Sequence, residues 1–294
     1  MHPQIPFTDK ETGIVPRGRP FVKMHGLRND FIIVDARRHP YAPSPEEIIR
    51  ICDRRAGVGG DELVIVDPPR PDSTAGAYAF ACIFNPDGRE VEACGNATRC
   101  VGWLLLQESK REVVMIDTLG GPLKCRQSGE KHVAVDMGKL RTGWQDIPLA
   151  HKMDTLHLEI SAGPLRDPVG MNIGNPHAVF FVDDPDSIDL AIYGPQLQKN
   201  PLFPEEANIG VAQLMDSKTL KLSVWERPGA LTTACGTGAC VAVGAAHRRG
   251  LTDARRMTVI MPAGSVEIEL KDDNSVVMIG PVEICYTGYL PVRA

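Results

Sequence analysis

The sequence lacks a long apolar run, a long basic run and any closely spaced cysteine pair. None of its 294 residues sits in a stretch approaching the roughly 20 consecutive apolar residues that span a bilayer. The start, MHPQIPFTDKETGIVPRGRP, has no apolar core of the kind a secretory signal needs. Both absences predict a cytoplasmic protein that works away from membranes. Lys and Arg never run longer than two, and the formal net charge is −5, so no basic face is expected and nucleic acid is not a predicted partner. None of the eight cysteines forms a CxxC pair. That argues against a zinc ribbon or a thioredoxin-type motif, and for free thiols in a reducing compartment.

What is present is the composition of an ordinary globular chain, 43% hydrophobic and 23% charged, long enough for two domains of usual size. Short runs rich in β-branched residues and bounded by Gly, Pro, Asn or Asp recur throughout: FVKMHG, DFIIVDA, DELVIVD, AYAFACIF, VVMIDT, HVAVDM, LHLEIS, HAVFFVD, KLSVWER, TVIMP, SVEIEL and VVMIG. Each reads as a strand. Helical signals are fewer. SPEEIIRICDRR opens with a serine N-cap and early acids. NATRCVGWLLLQES and TGACVAVGAAHRRG are apolar on nearly every side, so each is expected to be buried all round.

Both of those helices follow an Ala-Cys-Gly turn, ACGNATRC at 93–100 and ACGTGAC at 234–240, nearly half the chain apart. The repeat predicts an α/β fold of two pseudo-symmetric lobes, each a mostly antiparallel or mixed sheet wrapped around a central buried helix. Residues 1–20 read as a polar extension. The N-terminal lobe takes 21–139 and regains 283–294, and the C-terminal lobe fills 140–282.

Cys94 and Cys235 stand just before the first helical turn, with Asn96 and Thr237 expected as N-caps. Unpaired amides at a helix N-terminus suit a carboxylate, and a cysteine there is expected to have a lowered pKa. Two such turns facing each other across a cleft would place a thiol on each side of an α-carbon. One would remove its proton and the other deliver one to the opposite face, while the amides stabilise the carbanion's carboxylate. No pyridoxal or metal is needed for that scheme.

The blocks KMHGLRNDF, FNPDGREVEACGNATRC, GNPHAVFFVDD, NIGV and WERPGALTTACGTGAC occur in order over nearly the whole chain after residue 20. Together they resemble the diaminopimelate epimerase family. The resemblance implies two lobes with the active site between them, and cofactor-independent interconversion of LL- and meso-diaminopimelate. It implies Cys94 and Cys235 as the acid/base pair, supported by His177 and Glu226. Gly95, Asn96, Gly236 and Thr237 would cradle the reacting carboxylate, with Asn29 in the same site. Asn85, Asn175, Asn208 and Arg227 would grip the distal end of the substrate, with Glu226 near its ammonium group. The chain departs from the usual family pattern at Arg28, Glu62 and Pro228; Glu62, counted with the substrate-binding residues, would add a negative charge near the site. The expected partner is a small amino acid, with a homodimer possible. Alternatives are a related epimerase acting on another amino acid, a thiol redox sensor, or a metal-binding protein.

Overall fold

A computed structural model describes residues 18–92, 94–227 and 229–291. The described chain divides into two compact units, one made of residues up to 135 together with 280 onward, the other of 136–279. Most of the polar extension, Ala93 and Pro228 lie outside the described residues.

The first unit contains β1 (Gly18–Gly26), β2 (Asn29–Asp35), α1 (Pro45–Cys52), β3 (Glu62–Asp67), β4 (Ala79–Phe84), β5 (Glu90–Val91), α2 (Gly95–Ser109), β6 (Val113–Thr118), β7 (Gly121–Gln127) and the start of β8 (His132–Lys139). The second contains β9 (Ser161–Ala162), β10 (Leu165–Arg166), β11 (Val169–Asn172), β12 (Pro176–Phe181), α3 (Leu190–Gln198), β13 (Asn208–Asp216), β14 (Thr219–Glu226), β15 (Ala230–Thr232), α4 (Gly236–Arg248), β16 (Arg256–Met261), β17 (Gly264–Leu270) and most of β18 (Ser275–Pro281). The last strand, β19 (Glu283–Pro291), returns to the first unit and pairs antiparallel with β1.

The two units share one pairing scheme. In the first, β1–β2 is antiparallel, β2–β3 parallel, β3–β4 antiparallel, β4–β6 parallel, then β6–β7 and β7–β8 antiparallel. In the second, β11–β12, β12–β13, β13–β14, β14–β16, β16–β17 and β17–β18 repeat that sequence of directions. The repeat aligns β2 with β12, β3 with β13, β4 with β14, and α2 with α4. It follows that Glu62, paired with Phe31, corresponds to Asn208, paired with His177.

Why the strands read as unbroken apolar runs is plain from the layers. In β2, Ile32 and Val34 join a core with Ile48, Ile51, Leu63, Ile65 and Phe80 on the α1 side. Phe31 and Ile33, equally buried, point to the opposite face. A sheet covered on both faces shows no apolar/polar alternation. In β12, Ala178 and Phe180 pack with Leu190 and Leu197 of α3. His177 and Val179 alternate onto the other face. Close contact of α2 with its sheet depends on Gly102, where an added Cβ would lie 2.7 Å from Cys125 Sγ.

Several expectations hold and others fail. Ser44 caps α1, accepting from the Glu47 amide. Both helices after the twin cysteines are buried, α2 through residues such as Ala97, Cys100, Leu104 and Leu105. The run LHLEIS forms no strand of its own, contributing only Ser161 to the two-residue β9. Its Leu158 and Ile160 are anchored instead as core residues of an irregular segment. Helix α3 escapes a sequence reading because it carries Gly194 and Pro195 inside.

The β1–β2 hairpin turns through Leu27 and Arg28, both at positive φ, 56° and 64°. Two successive left-handed residues make a type I′ turn, which Asn and Gly tolerate best. A bulky residue there costs about 1–2 kcal/mol. Arg28 is exposed and stands in that position without a glycine's freedom. The strain is carried at the turn that delivers Asn29.

Candidate active site

Each Cys-Gly turn ends a strand-rich segment at the mouth of its buried helix. The N-caps are Cys94 and Cys235 themselves, not Asn96 and Thr237, because helical geometry begins at Gly95 and Gly236. In both turns the cap stands two residues before the expected one, with a glycine at the first helical position. Cys235 acts as a true cap, its Sγ accepting from the Gly238 amide at 3.3 Å. Cys94 makes no side-chain cap hydrogen bond.

The thiols are not depressed, as their position alone suggests, but held well above the ordinary cysteine range. Burial is the largest cause at both. A carboxylate's charge adds to it, that of Glu62 at Cys94 and that of Glu226 at Cys235. The helix amides do oppose this, from Ala97 and Asn96 at Cys94 and from Gly238 at Cys235, but they lose to desolvation and the neighbouring anion. Each thiol is therefore protonated at rest.

In the first unit, Asn29 points its Oδ1 to the site. It accepts from Asn96 Nδ2 at 3.0 Å and from the Cys94 thiol at 3.9 Å. Its amide orientation is set from behind, since Nδ2 donates to Asp61 Oδ2 at 3.0 Å. Asp61 also accepts from Arg54 at 2.7 Å and from the Asp30 amide at 3.1 Å. Asp30 in turn pairs with buried Lys23 at 2.6 Å and with Arg54 at 2.6 Å. Burial alone would raise the Asp30 carboxyl, but hydrogen bonds from Arg54 and Lys23 outweigh it and hold the group far below the carboxylate range. Lys23, Asp30, Arg54 and Asp61 carry no signal of their own in the sequence. They are brought together by the hairpin and the loop before β3.

In the second unit, His177, Asn175, Asn208 and Thr237 converge. His177 Nε2 lies 3.0 Å from Asn175 Oδ1, 3.2 Å from Thr237 Oγ1 and 3.3 Å from Asn208 Nδ2. Thr237 Oγ1 lies 3.5 Å from Cys235 Sγ, so His177 reaches the thiol through a hydroxyl. Asn208 Oδ1 accepts from the Arg227 amide at 2.9 Å, and Arg227 Nη1 donates to the Glu205 carbonyl at 2.6 Å. Glu226 Oε1 accepts from Thr232 Oγ1 at 2.8 Å. Asn85 follows β4 as Arg227 follows β14, in a turn closed by hydrogen bonds between its backbone and Gly88 and Arg89. The half-buried Gly95, Gly236 and Thr237 line the first turns.

His177 is fully enclosed, and burial, with the Arg227 charge, pulls its pKa down to about 3. The unfolded chain protonates this imidazole near its ordinary 6.5, so between those values the unfolded state binds more protons than the folded one. Stability must then fall as pH drops through that window, by about 1.4 kcal/mol per pH unit at most. His177→Gln is expected to flatten the decline between pH 6.5 and pH 3, read from urea unfolding at stepped pH. An unchanged slope would reject a buried neutral imidazole.

All eight cysteines are free. Among the described residues no three His, Cys, Asp or Glu side chains group as metal ligands, and no helix is long and apolar enough to cross a membrane.

Comparison with known proteins agrees with the geometry. The family model for diaminopimelate epimerase matches residues 21–142 and 169–285. A diaminopimelate epimerase of Acidiphilium cryptum is 47% identical over 272 residues, covering 92% of this chain and 96% of its own. One from Rhodospirillum centenum is 46% identical over 272 residues, covering 92% of each. Among solved structures, a hydroxyproline epimerase from Agrobacterium vitis aligns with a TM-score of 0.65 at 15% identity, over 93% of this chain and 91% of that one. A phenazine biosynthesis protein of the PhzF family from Enterococcus faecalis aligns at 0.65 and 13% identity, over 94% of this chain and all of that one. Those two show a shared fold. The sequence matches, over most of the length with the cysteine turns included, show that this chain belongs to the diaminopimelate epimerase family.

Proposed function

We propose that the chain is an isomerase that interconverts LL- and meso-2,6-diaminopimelate, a step in lysine biosynthesis, by two-thiol acid/base chemistry. Family membership supports the reaction and the substrate. The observation that carries the chemistry is a device built twice: a cysteine at the N-cap of a buried helix, its thiol held protonated by burial and by the charge of a glutamate.

One cysteine, as thiolate, takes the α-proton, and the other, as thiol, gives a proton to the opposite face of the carbanion. Two acids of one residue type let the reaction run either way. Amides opening α2 and α4 hold the reacting carboxylate, where negative charge grows as the carbanion forms. Asn29, with its amide fixed by Asp61, presents a carbonyl oxygen to that region. At the second cysteine, neutral His177 orients Thr237 rather than carrying a charge. The distal amino-acid end falls to Asn85, Asn175, Asn208 and Arg227, with Glu226 near its ammonium group. Arg227 can meet a carboxylate through two parallel hydrogen bonds, and its backbone is anchored by Asn208.

Incubation of the protein with LL- or meso-diaminopimelate in heavy water under reductant is the direct test. Deuterium should enter the α-position as the stereoisomers interconvert. Absence of exchange from either isomer, with the protein folded and its thiols reduced, would remove diaminopimelate as the substrate.

A further inference from the structure

We infer that Gln198 is a positioning residue for the substrate's distal carboxylate: it clasps the turn that seats the Arg227 guanidinium. The inference rests on the epimerase reading for what Arg227 binds. It rests on the structure for the clasp.

The internal repeat sets the position apart. Helix α3 crosses between the parallel strands β12 and β13 as α1 crosses between β2 and β3. Helix α1 ends in Cys52, a small buried thiol, whereas α3 ends in Gln198, a carboxamide only 1% exposed. A carboxamide is costly to bury unless both its ends are bonded. Here both are. Gln198 Oε1 accepts from Trp225 Nε1 and its Nε2 donates to Glu206 Oε2, both at 2.5 Å. Gly194 brings the indole close to α3, since an added Cβ there would lie 2.5 Å from Trp225 Cγ.

The two partners flank Arg227. Trp225 stands two residues before it in the chain. Glu206 follows Glu205, whose carbonyl accepts from Arg227 Nη1 at 2.6 Å. Glu206 holds a left-handed backbone, φ 58°. That conformation costs a non-glycine residue about 1–2 kcal/mol and persists only where its surroundings fix it. Two bonds fix it here: its amide donates to the Phe203 carbonyl at 2.9 Å, and its carboxylate accepts from Gln198. Asn208, at the end of the same turn, accepts from the Arg227 amide at 2.9 Å. The turn 203–208 therefore carries one anchor for the Arg227 side chain and one for its backbone. Gln198 ties that turn to the end of β14, next to Arg227. A guanidinium seated on a neutral carbonyl keeps its other donors for two parallel bonds to a carboxylate.

Full-length wild type, Gln198→Glu and Gln198→Glu combined with Glu206→Gln, all reduced, test the clasp. The single substitution sets two carboxylates against each other and removes the Nε2 donor. The double one exchanges donor and acceptor, so the contact returns while Trp225 keeps its acceptor. With diaminopimelate, Gln198→Glu should raise KM by about tenfold or more and hold kcat within about threefold, the signature of lost uniform binding with the cysteines untouched. The double variant should bring KM back to within about threefold of wild type. Amide hydrogen exchange in the peptide spanning 200–208, read by mass spectrometry without substrate, should quicken in Gln198→Glu and slow again in the double variant. A Gln198→Glu enzyme whose KM or exchange stays at the wild-type value overturns the inference. So does a fall in kcat at unchanged KM, or a double variant that leaves KM high. If wild type fails to turn over diaminopimelate while exchange quickens and is then restored, the substrate assignment falls and the clasp stands. If Gln198→Glu does not fold, the half-buried Glu206 decides. Glu206→Ala should raise KM with kcat kept and Glu206→Gln should not, and equal KM in the two overturns the role.

Discussion

Replacing either Cys94 or Cys235 by serine is expected to cut turnover by on the order of 10²–10⁴-fold while the fold survives. The two outcomes separate because the residues do two jobs. As N-caps, the cysteines occupy a position that serine fills well, ranking among the best capping residues. Cys94 makes no side-chain cap bond, so Cys94→Ser should match or slightly exceed the parent in stability. Cys235→Ser keeps an acceptor for the Gly238 amide, whereas Cys235→Ala loses it, at about 1 kcal/mol. As proton carriers, the hydroxyls fail, since a serine hydroxyl is a far weaker acid than a thiol. Steady-state turnover and urea unfolding on the same preparations read both effects. Serine variants that keep near-normal turnover would exclude two-thiol chemistry. Serine variants that merely unfold would show the cysteines to be structural.

Lys23→Met should destabilise the first unit by about 3 kcal/mol, because removing one partner of a buried pair leaves the other charge uncompensated. Lys23 is buried and its Nζ lies 2.6 Å from Asp30 while also donating to the Gly59 carbonyl. The loop 57–60 closes over the ammonium, and a Cβ at Gly60 would sit 2.9 Å from it. Arg54 remains on Asp30 after the substitution, which keeps the cost at the lower end. The pH dependence fixes the cause. In the wild type the folded Asp30 carboxyl lies far below its ordinary value, so its contribution is present at neutral pH and lost as pH falls through the folded value. Without Lys23, burial raises that carboxyl, and the variant protonates it earlier. The deficit relative to wild type should therefore be full near pH 7 and shrink below about pH 4. A loss under about 1 kcal/mol at neutral pH would mean the pair is too solvated to matter.

The same cluster explains why a sequence reading finds the site's front and misses its back. Cys94, Cys235 and the residues that follow them announce themselves because a cysteine-glycine step before an apolar helix is local, and its repetition is unlikely without a use. The thiols' acidity is not local. Their place at a helix N-terminus argues for a lowered value, whereas burial, with the charges of Glu62 and Glu226, decides a raised one. Asp61 and Lys23 matter through Asn29 and Asp30, contacts that exist only once β1, β2 and the loop before β3 are assembled.

By itself the sequence determined the element types, the two buried helices, the repeat and the family, because periodicity, caps and turn residues act over a few neighbours. It misassigned LHLEIS, whose β-like composition is used as irregular core, and overlooked α3, whose internal proline is tolerated by packing against β13 and β14. Only the tertiary structure decided that the two thiols are raised rather than lowered, which way the Asn29 amide faces and that His177 is uncharged. Those properties are sums over groups far apart in the chain, set by desolvation and by hydrogen bonds that no short stretch of residues contains.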